Sequence, residues 1–305
     1  MRLPHYAALV VLSTLWGSAF MLIKVALDEV PPLTLVAGRL AGAALFLAAA
    51  LVVTGRSLPR SRGPWLIFAL LGVVNMVLPF TLLTWGQQHI ESSLAAILVA
   101  SMPLSTGILA HFWIKERLTT DRALGVLVVF AGVFVLIGGG LGDLTESSTL
   151  GQLAILVGVL GYAFGTVFAR RYLEDGDPLV LATGQTIVAV AVIAPVALAV
   201  DQPFDLVISA KVGLAWGTLG LVNSAIAYML FFSLLRRVTA TQASMVTYLI
   251  PITALFLGAL VLDERLGANS FAGLAVIILG VWIVNGGGSW LAQRVRGERE
   301  PAVVD

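Results

Sequence analysis

The chain contains no cysteine, which excludes disulfides, thiolate nucleophiles and thiolate-bound metals and leaves the redox compartment open. Histidine is nearly as scarce: His5, His89 and His111 are too scattered for a metal-ligand set, and each reads as an interfacial or helix-end residue. The patterns HExxH, GxxxxGKS/T and GxSxG are missing, so neither a metal nor a cofactor is expected, and no hydrolase or intramembrane enzyme. Charge is the next shortage. Only 11% of the 305 residues are charged, against roughly a quarter in a soluble domain. With 59% hydrophobic residues, the chain cannot build a water-facing surface, and its solvent is a lipid bilayer. A net charge of +1 offers nothing to nucleic acid.

What is abundant is long apolar sequence. Ten stretches are each long enough to cross a hydrocarbon core about 30 Å thick as a helix. They run 6–27, 33–54, 65–87, 91–114, 121–140, 149–171, 178–200, 211–235, 239–262 and 268–288. The first is not read as a cleaved signal, because it is too long, holds Trp16 and ends in Lys24 without a small-residue cleavage site. With the N-terminus placed in the cytoplasm, fourteen of the 18 Lys and Arg residues fall in cytoplasmic loops. Only Lys211 and Arg265 fall outside, and Lys24 and Arg39 lie within spans. That asymmetry follows the positive-inside rule, so a multi-pass protein of the cell's inner or plasma membrane is expected, both termini cytoplasmic. The tail 291–305 is short and charged, and is expected to be disordered.

The chain also matches itself at an offset of 148. Asn75 falls on Asn223, Pro103 on Pro251, Glu116-Arg117-Leu118 on Glu264-Arg265-Leu266, Gly125 on Gly273 and Gly132 on Gly280. Two repeats follow, 1–146 and 147–290. Five spans per repeat is an odd number, so equivalent helices cross in opposite directions. The expected fold is all-α, ten transmembrane helices in two inverted-topology five-helix repeats, an arrangement tied to alternating access.

Trp16-Gly17-Ser18 with Phe20 and Lys24, Arg39 in the second span, Pro103 followed by Lys115-Glu116-Arg117-Leu118, and Pro251 followed by Asp263-Glu264-Arg265-Leu266 together resemble the drug/metabolite transporter superfamily, specifically its EamA-type members. The resemblance covers essentially the whole chain. It implies that spans one to four and six to nine surround a central cavity, with five and ten behind. It also implies a carrier of amino acids, nucleosides, nucleotide sugars, other metabolites or drugs, often an exporter. Tyr162 departs from the pattern, standing where a Trp is often found in the second half.

Polar groups deep in a bilayer must face protein or a wet cavity, so mid-span polar residues mark candidate substrate contacts. Asn75 and Asn223 either face one another across the pseudo-axis or tie helices together. Thr241, Ser244, Tyr248 and Pro251 share one helical face, as do Ser13, Trp16, Phe20 and Lys24, and each face either lines a cavity or packs on a neighbour. Lys24 and Arg39 either bind a substrate carboxylate or, respectively, snorkel toward Asp28 and cap backbone carbonyls. Pro79, Pro103, Pro195 and Pro251 lie inside spans; Pro103 and Pro251 either act as hinges or only kink the bundle. Glu116 and Glu264 read as helix-end salt bridges beside Arg117 and Arg265. The pairs Gly38/Gly42, Gly161/Gly165 and Gly213/Gly217 allow close helix packing, with a homodimer among the options. The function expected is carriage of a small metabolite, first an amino acid or similar zwitterion, outward by alternating access. The other classes are a channel and a non-transporting scaffold.

Overall fold

The computed structural model describes residues 3–114, 147–172, 176–238, 245–265 and 267–283, with isolated positions between 124 and 135 and at 240 and 243. The fifth span, Thr241, Ser244, the side chain of Tyr248, Glu116, Arg117 and the tail therefore lie outside the described residues or nearly so.

Every regular element described is helical. The first three spans are α1 (Leu3–Leu27), α2 (Pro32–Val53), and α3 (Arg62–Gly72) running through a π-helical segment, Val73–Val77, into α4 (Leu78–Gly86). Next come α5 (Ser92–Val99) and α6 (Met102–Ile114). The second half holds α7 (Ser147–Tyr172), α8 (Pro178–Val200), and α9 (Ala210–Gly220) passing through a second π-helical segment, Leu221–Ile226, into α10 (Ala227–Leu235). It ends with a 3-10 turn, Met245–Tyr248, then α11 (Ile250–Leu262) and α12 (Ala268–Trp282). Among the described residues, 7 helical stretches are long and apolar enough to cross a membrane; Ile250–Leu262 and Phe271–Gly280 are shorter apolar helices. Leu45, Leu66, Phe112, Leu214 and Phe256 stand exposed on the outside, the surface a bilayer solvates.

Helix starts are set by carboxylates. Asp177 caps α8, accepting from the amides of Leu179 at 2.8 Å and Val180 at 3.3 Å. Asp201, at the end of α8, accepts from Thr34 N at 2.7 Å and Thr34 Oγ1 at 2.9 Å, and so caps α2. Glu29 accepts from Ser209 N at 2.6 Å, just before α9. Glu264 accepts from Ser92 N at 2.7 Å, Ser93 N at 3.1 Å and Ser93 Oγ at 2.5 Å. The expected Glu264–Arg265 salt bridge is thereby corrected: the free amides of a helix N-terminus attract the carboxylate instead. The ion pair among the described residues is Arg56–Asp177, at 3.2 Å.

The two halves of the chain interdigitate. α2 packs along α8, α4 and α6 lie on α7, and α1 lies on α9 and α11. Gly165 belongs to one such crossing, where a Cβ would stand 2.6 Å from Asn75 Oδ1. The Gly213/Gly217 pair does not pack against a helix; no atom comes within 4 Å of a Cβ built at Gly217, and the close approach to α2 falls at Gly220.

Candidate functional site

Two devices open a cavity at the centre of the bundle. One is the π-helical segment. An added residue per turn frees local backbone hydrogen bonds and turns polar side chains inward. Asn75 sits in the first segment and Asn223 in the second, at the same position under the offset of 148. The other device is the broken helix. The fourth span is interrupted at Ala100 and Ser101 and resumes at Met102, and α11 starts at Ile250, again 148 residues on. Pro103 and Pro251 each stand in the first turn of the resumed segment, where a missing N–H costs no hydrogen bond. The expected kinks inside continuous helices are thus breaks between two helices.

The cavity has a volume of about 60 Å³, room for several water molecules. Its walls come in matched positions. Phe80 and Tyr228, Leu83 and Phe231, Val99 and Thr247, and Met102 and Ile250 all line it and are all separated by 148 residues. Trp16 and Tyr162, and Phe20 and Thr166, line it at an offset of 146. The aromatic members touch one another: Trp16 lies 5.8 Å from Tyr228 and 5.2 Å from Phe231, and Phe80 lies 6.2 Å from Tyr162. Trp16 Nε1 donates to Asn223 O at 3.2 Å and Tyr228 Oη to Asn75 O at 3.3 Å. These indole and phenol donors are engaged, which leaves ring faces toward the space.

Arg39 breaks the pattern. It is 5% exposed, its guanidinium carbon lies 4.1 Å from the Phe80 ring centroid, and its Nε donates to Ser224 Oγ at 2.7 Å. Ser224 lies in the second π-helical segment, and its hydroxyl donates in turn to Leu219 O at 2.8 Å. The two terminal guanidinium nitrogens hydrogen-bond to no described residue, and no Asp or Glu among the described residues lines the cavity. At an offset of 146 the second half has Gln185, fully buried behind Asn75 and accepting from Asn75 Nδ2 at 3.5 Å.

Of the residues singled out in the sequence, Trp16, Phe20, Arg39, Asn75 and Tyr162 come together here. Asn223 does not line the space. Its side chain turns to α1, donating to Leu15 O and, at 3.0 Å, to Ser18 Oγ, so the two asparagines do not face each other. Lys24 lies apart, donating to Gln87 O at 2.7 Å and Ile90 O at 3.0 Å, where a cation satisfies the carbonyls at the end of α4. Neither Asp28 nor a cavity is its partner; with His89, Glu91, Gln152 and Arg265 it borders a polar vestibule at one end of the bundle. In that vestibule burial pushes the Glu91 carboxyl above the ordinary carboxylate range, the Glu264 charge adds to the shift and Lys24 opposes it. Phe80, Ser224, Tyr228, Phe231 and Thr247 went unrecognised in the sequence. Once Phe80 and Leu83 are seen to line the cavity, the offset of 148 gives Tyr228 and Phe231; Thr247 lines it from the 3-10 turn that stands where a continuous helix was expected.

The geometry has counterparts in known proteins. The EamA-like transporter family matches the chain twice, over residues 4–138 and 149–286. The uncharacterized inner membrane transporter YedA of Escherichia coli K12 is 30% identical over 289 residues, 92% of this chain and 90% of that protein. The uncharacterized transporter YoaV of Bacillus subtilis is 23% identical over 273 residues, 88% of this chain and 92% of its own. A solved crystal structure superposes with a TM-score of 0.71 at 19% identity, covering 97% of this chain and 99% of the other, and so shares the fold. With nearly its whole length matched by the family's pattern, this all-helical, multi-pass membrane protein belongs to the EamA-like transporter family.

Proposed function

We propose that the chain is a carrier that moves a small metabolite bearing a carboxylate, amino acids and related zwitterions included, outward across the membrane by alternating access. The observation that carries this reading is the central cavity walled by positions matched between the two halves, with helices broken at equivalent points of both halves. The double match to one family model supports ten helices in two inverted repeats. In such an architecture, exchanging the conformations of the two halves turns an inward-open cavity into an outward-open one. Both termini lie in the cytoplasm in this reading, which puts the Lys24 vestibule outside. Trp16, Phe20, Tyr162 and Asn75 contact the substrate, and Arg39 holds its carboxylate.

The broken helices provide the moving parts. A helix interrupted just before a proline bends at little cost, because the local hydrogen bonds are already absent. Pro103→Ala and Pro251→Ala variants should therefore keep wild-type thermal stability and transport about threefold more slowly, a change of about 0.6 kcal/mol in barrier. Wild-type rates in both would remove the hinge role.

Counterflow in proteoliposomes tests the carrier. With purified protein and a labelled panel of amino acids, nucleosides and organic anions, saturable uptake accelerated by substrate on the far side is expected. Flux without saturation or trans-stimulation would instead describe a channel, and folded protein silent across the panel a scaffold.

A further inference from the structure

The carrier reading admits zwitterions and anions alike, and the charge balance of the cavity separates them. We infer that the preferred substrate is an organic monoanion, a carboxylate on an apolar, aromatic-compatible body with no ammonium group; this rests on the carrier reading for its passage across the membrane, not for its binding. Arg39 brings one full positive charge into a space lined otherwise by apolar and aromatic side chains and a few neutral polar ones. A buried charge without a partner is costly, and Ser224 offers only a neutral hydroxyl to one of three guanidinium nitrogens. The two terminal nitrogens form the planar fork that takes a carboxylate in two parallel hydrogen bonds.

The remaining polar groups point the same way. The Tyr162 hydroxyl hydrogen-bonds to no described residue, and Tyr162 lines the same space as Arg39. For an ammonium the described lining residues offer no carboxylate, only neutral acceptors and ring faces, and the Phe80 face is covered by Arg39 itself. A monoanion leaves the loaded cavity neutral, whereas a zwitterion pairs with Arg39 through its carboxylate and leaves its own ammonium uncompensated. The faces of Trp16, Tyr228 and Phe231, whose rings already pack on one another, then bound the body of the substrate.

The probes are four molecules of nearly one size: 3-phenylpropanoate, phenylalanine, phenethylamine and 3-phenylpropanamide. Calorimetric titration into the full-length protein in detergent should show the anion binding at least tenfold more tightly than the zwitterion, the cation or the neutral amide. Arg39→Gln should bring the anion down to the level of the amide and leave the amide unchanged. Arg39→Lys, which retains charge and loses the fork, should fall between, and serves if the glutamine variant does not fold. Equal or tighter binding of phenylalanine, an anion affinity indifferent to Arg39, or no binding of the anion at all each overturns the inference. Counterflow of the same four compounds and of the wider panel separates the two readings. Arg39-dependent binding without flux would keep the substrate class and sink the carrier, and flux of amino acids alone would do the reverse.

Discussion

The two halves of this chain use one backbone plan and differ in charge. Both place a π-helical segment around an asparagine, at Val73–Val77 and Leu221–Ile226, and both resume a broken helix at matched residues, Met102 and Ile250. Position by position they differ where it counts for chemistry. Arg39 in one half corresponds to Gln185 in the other, Trp16 to Tyr162, and Phe80 to Tyr228. The backbone devices are duplicated, as the alternating access proposed for the chain asks of both halves. The charge is single because two guanidiniums in one apolar space would repel each other at close range in a low dielectric. The asymmetry thus lies in the side chains and not in the backbone that carries them.

Reversing that single charge should have the largest effect. Arg39→Glu is expected to weaken binding of an anionic ligand by more than about a hundredfold, about 2.7 kcal/mol, by calorimetry. Adding Gln185→Arg to it should restore nothing, since Gln185 is fully buried and outside the cavity lining; recovery of binding would show that the two positions are interchangeable after all. Next in size is a packing contrast. A Cβ on Gly17 would stand 2.6 Å from Thr253 Cβ and 2.9 Å from Ile250 O, whereas the position matched at an offset of 146 already carries Ala163. Gly17→Ala should cost about 1–3 kcal/mol and lower the melting temperature in a thermal-shift assay, while Ala163→Gly should cost about 1 kcal/mol or less. Equal losses would mean that the two crossings are packed alike.

Smaller effects belong to the vestibule. Glu264→Gln removes the charged cap of α5 and should cost about 1 kcal/mol of stability, read from the same melting curves. Glu91 gives the weakest signal. Its folded pKa lies above the ordinary value of 4.5, so its contribution to stability is fully present below pH 4.5 and is lost as pH rises through the raised pKa. Glu91→Gln should flatten the melting temperature across that window and raise it slightly at neutral pH. A steeper pH dependence in the variant would show that the group instead gains from its neighbours when ionised.

Much of the fold was legible as hydropathy. The stretch 178–200 read from the sequence is the helix Pro178–Val200, and 33–54 is displaced by one residue from Pro32–Val53. Length and apolarity decide such helices because the bilayer leaves the backbone no other way to satisfy itself. The candidate site was legible in part. Trp16, Arg39 and Asn75 were marked by their polar or amphipathic character in mid-span, Phe20 by the helical face it shares with Trp16, and Tyr162 by standing where the family often has Trp. Asn223 carries the same mark and points elsewhere, because which side of a π-helical segment a side chain takes depends on the helix packed against it.

What the sequence determined by itself was the solvent, the helical character and the recurrence at 148 residues, since composition, span length and self-similarity need no partner to be read. The family followed from the same residues. Only the tertiary structure decided that Arg39 meets Ser224 and Phe80 rather than backbone carbonyls, that Lys24 closes α4 rather than lining the cavity, and that Glu264 caps α5 rather than pairing with Arg265. Each of these is a choice among partners more than forty positions from the residue along the chain. Sequence spacing carries no information on that choice, because a long charged side chain takes whichever unsatisfied group the packing of helices brings within reach.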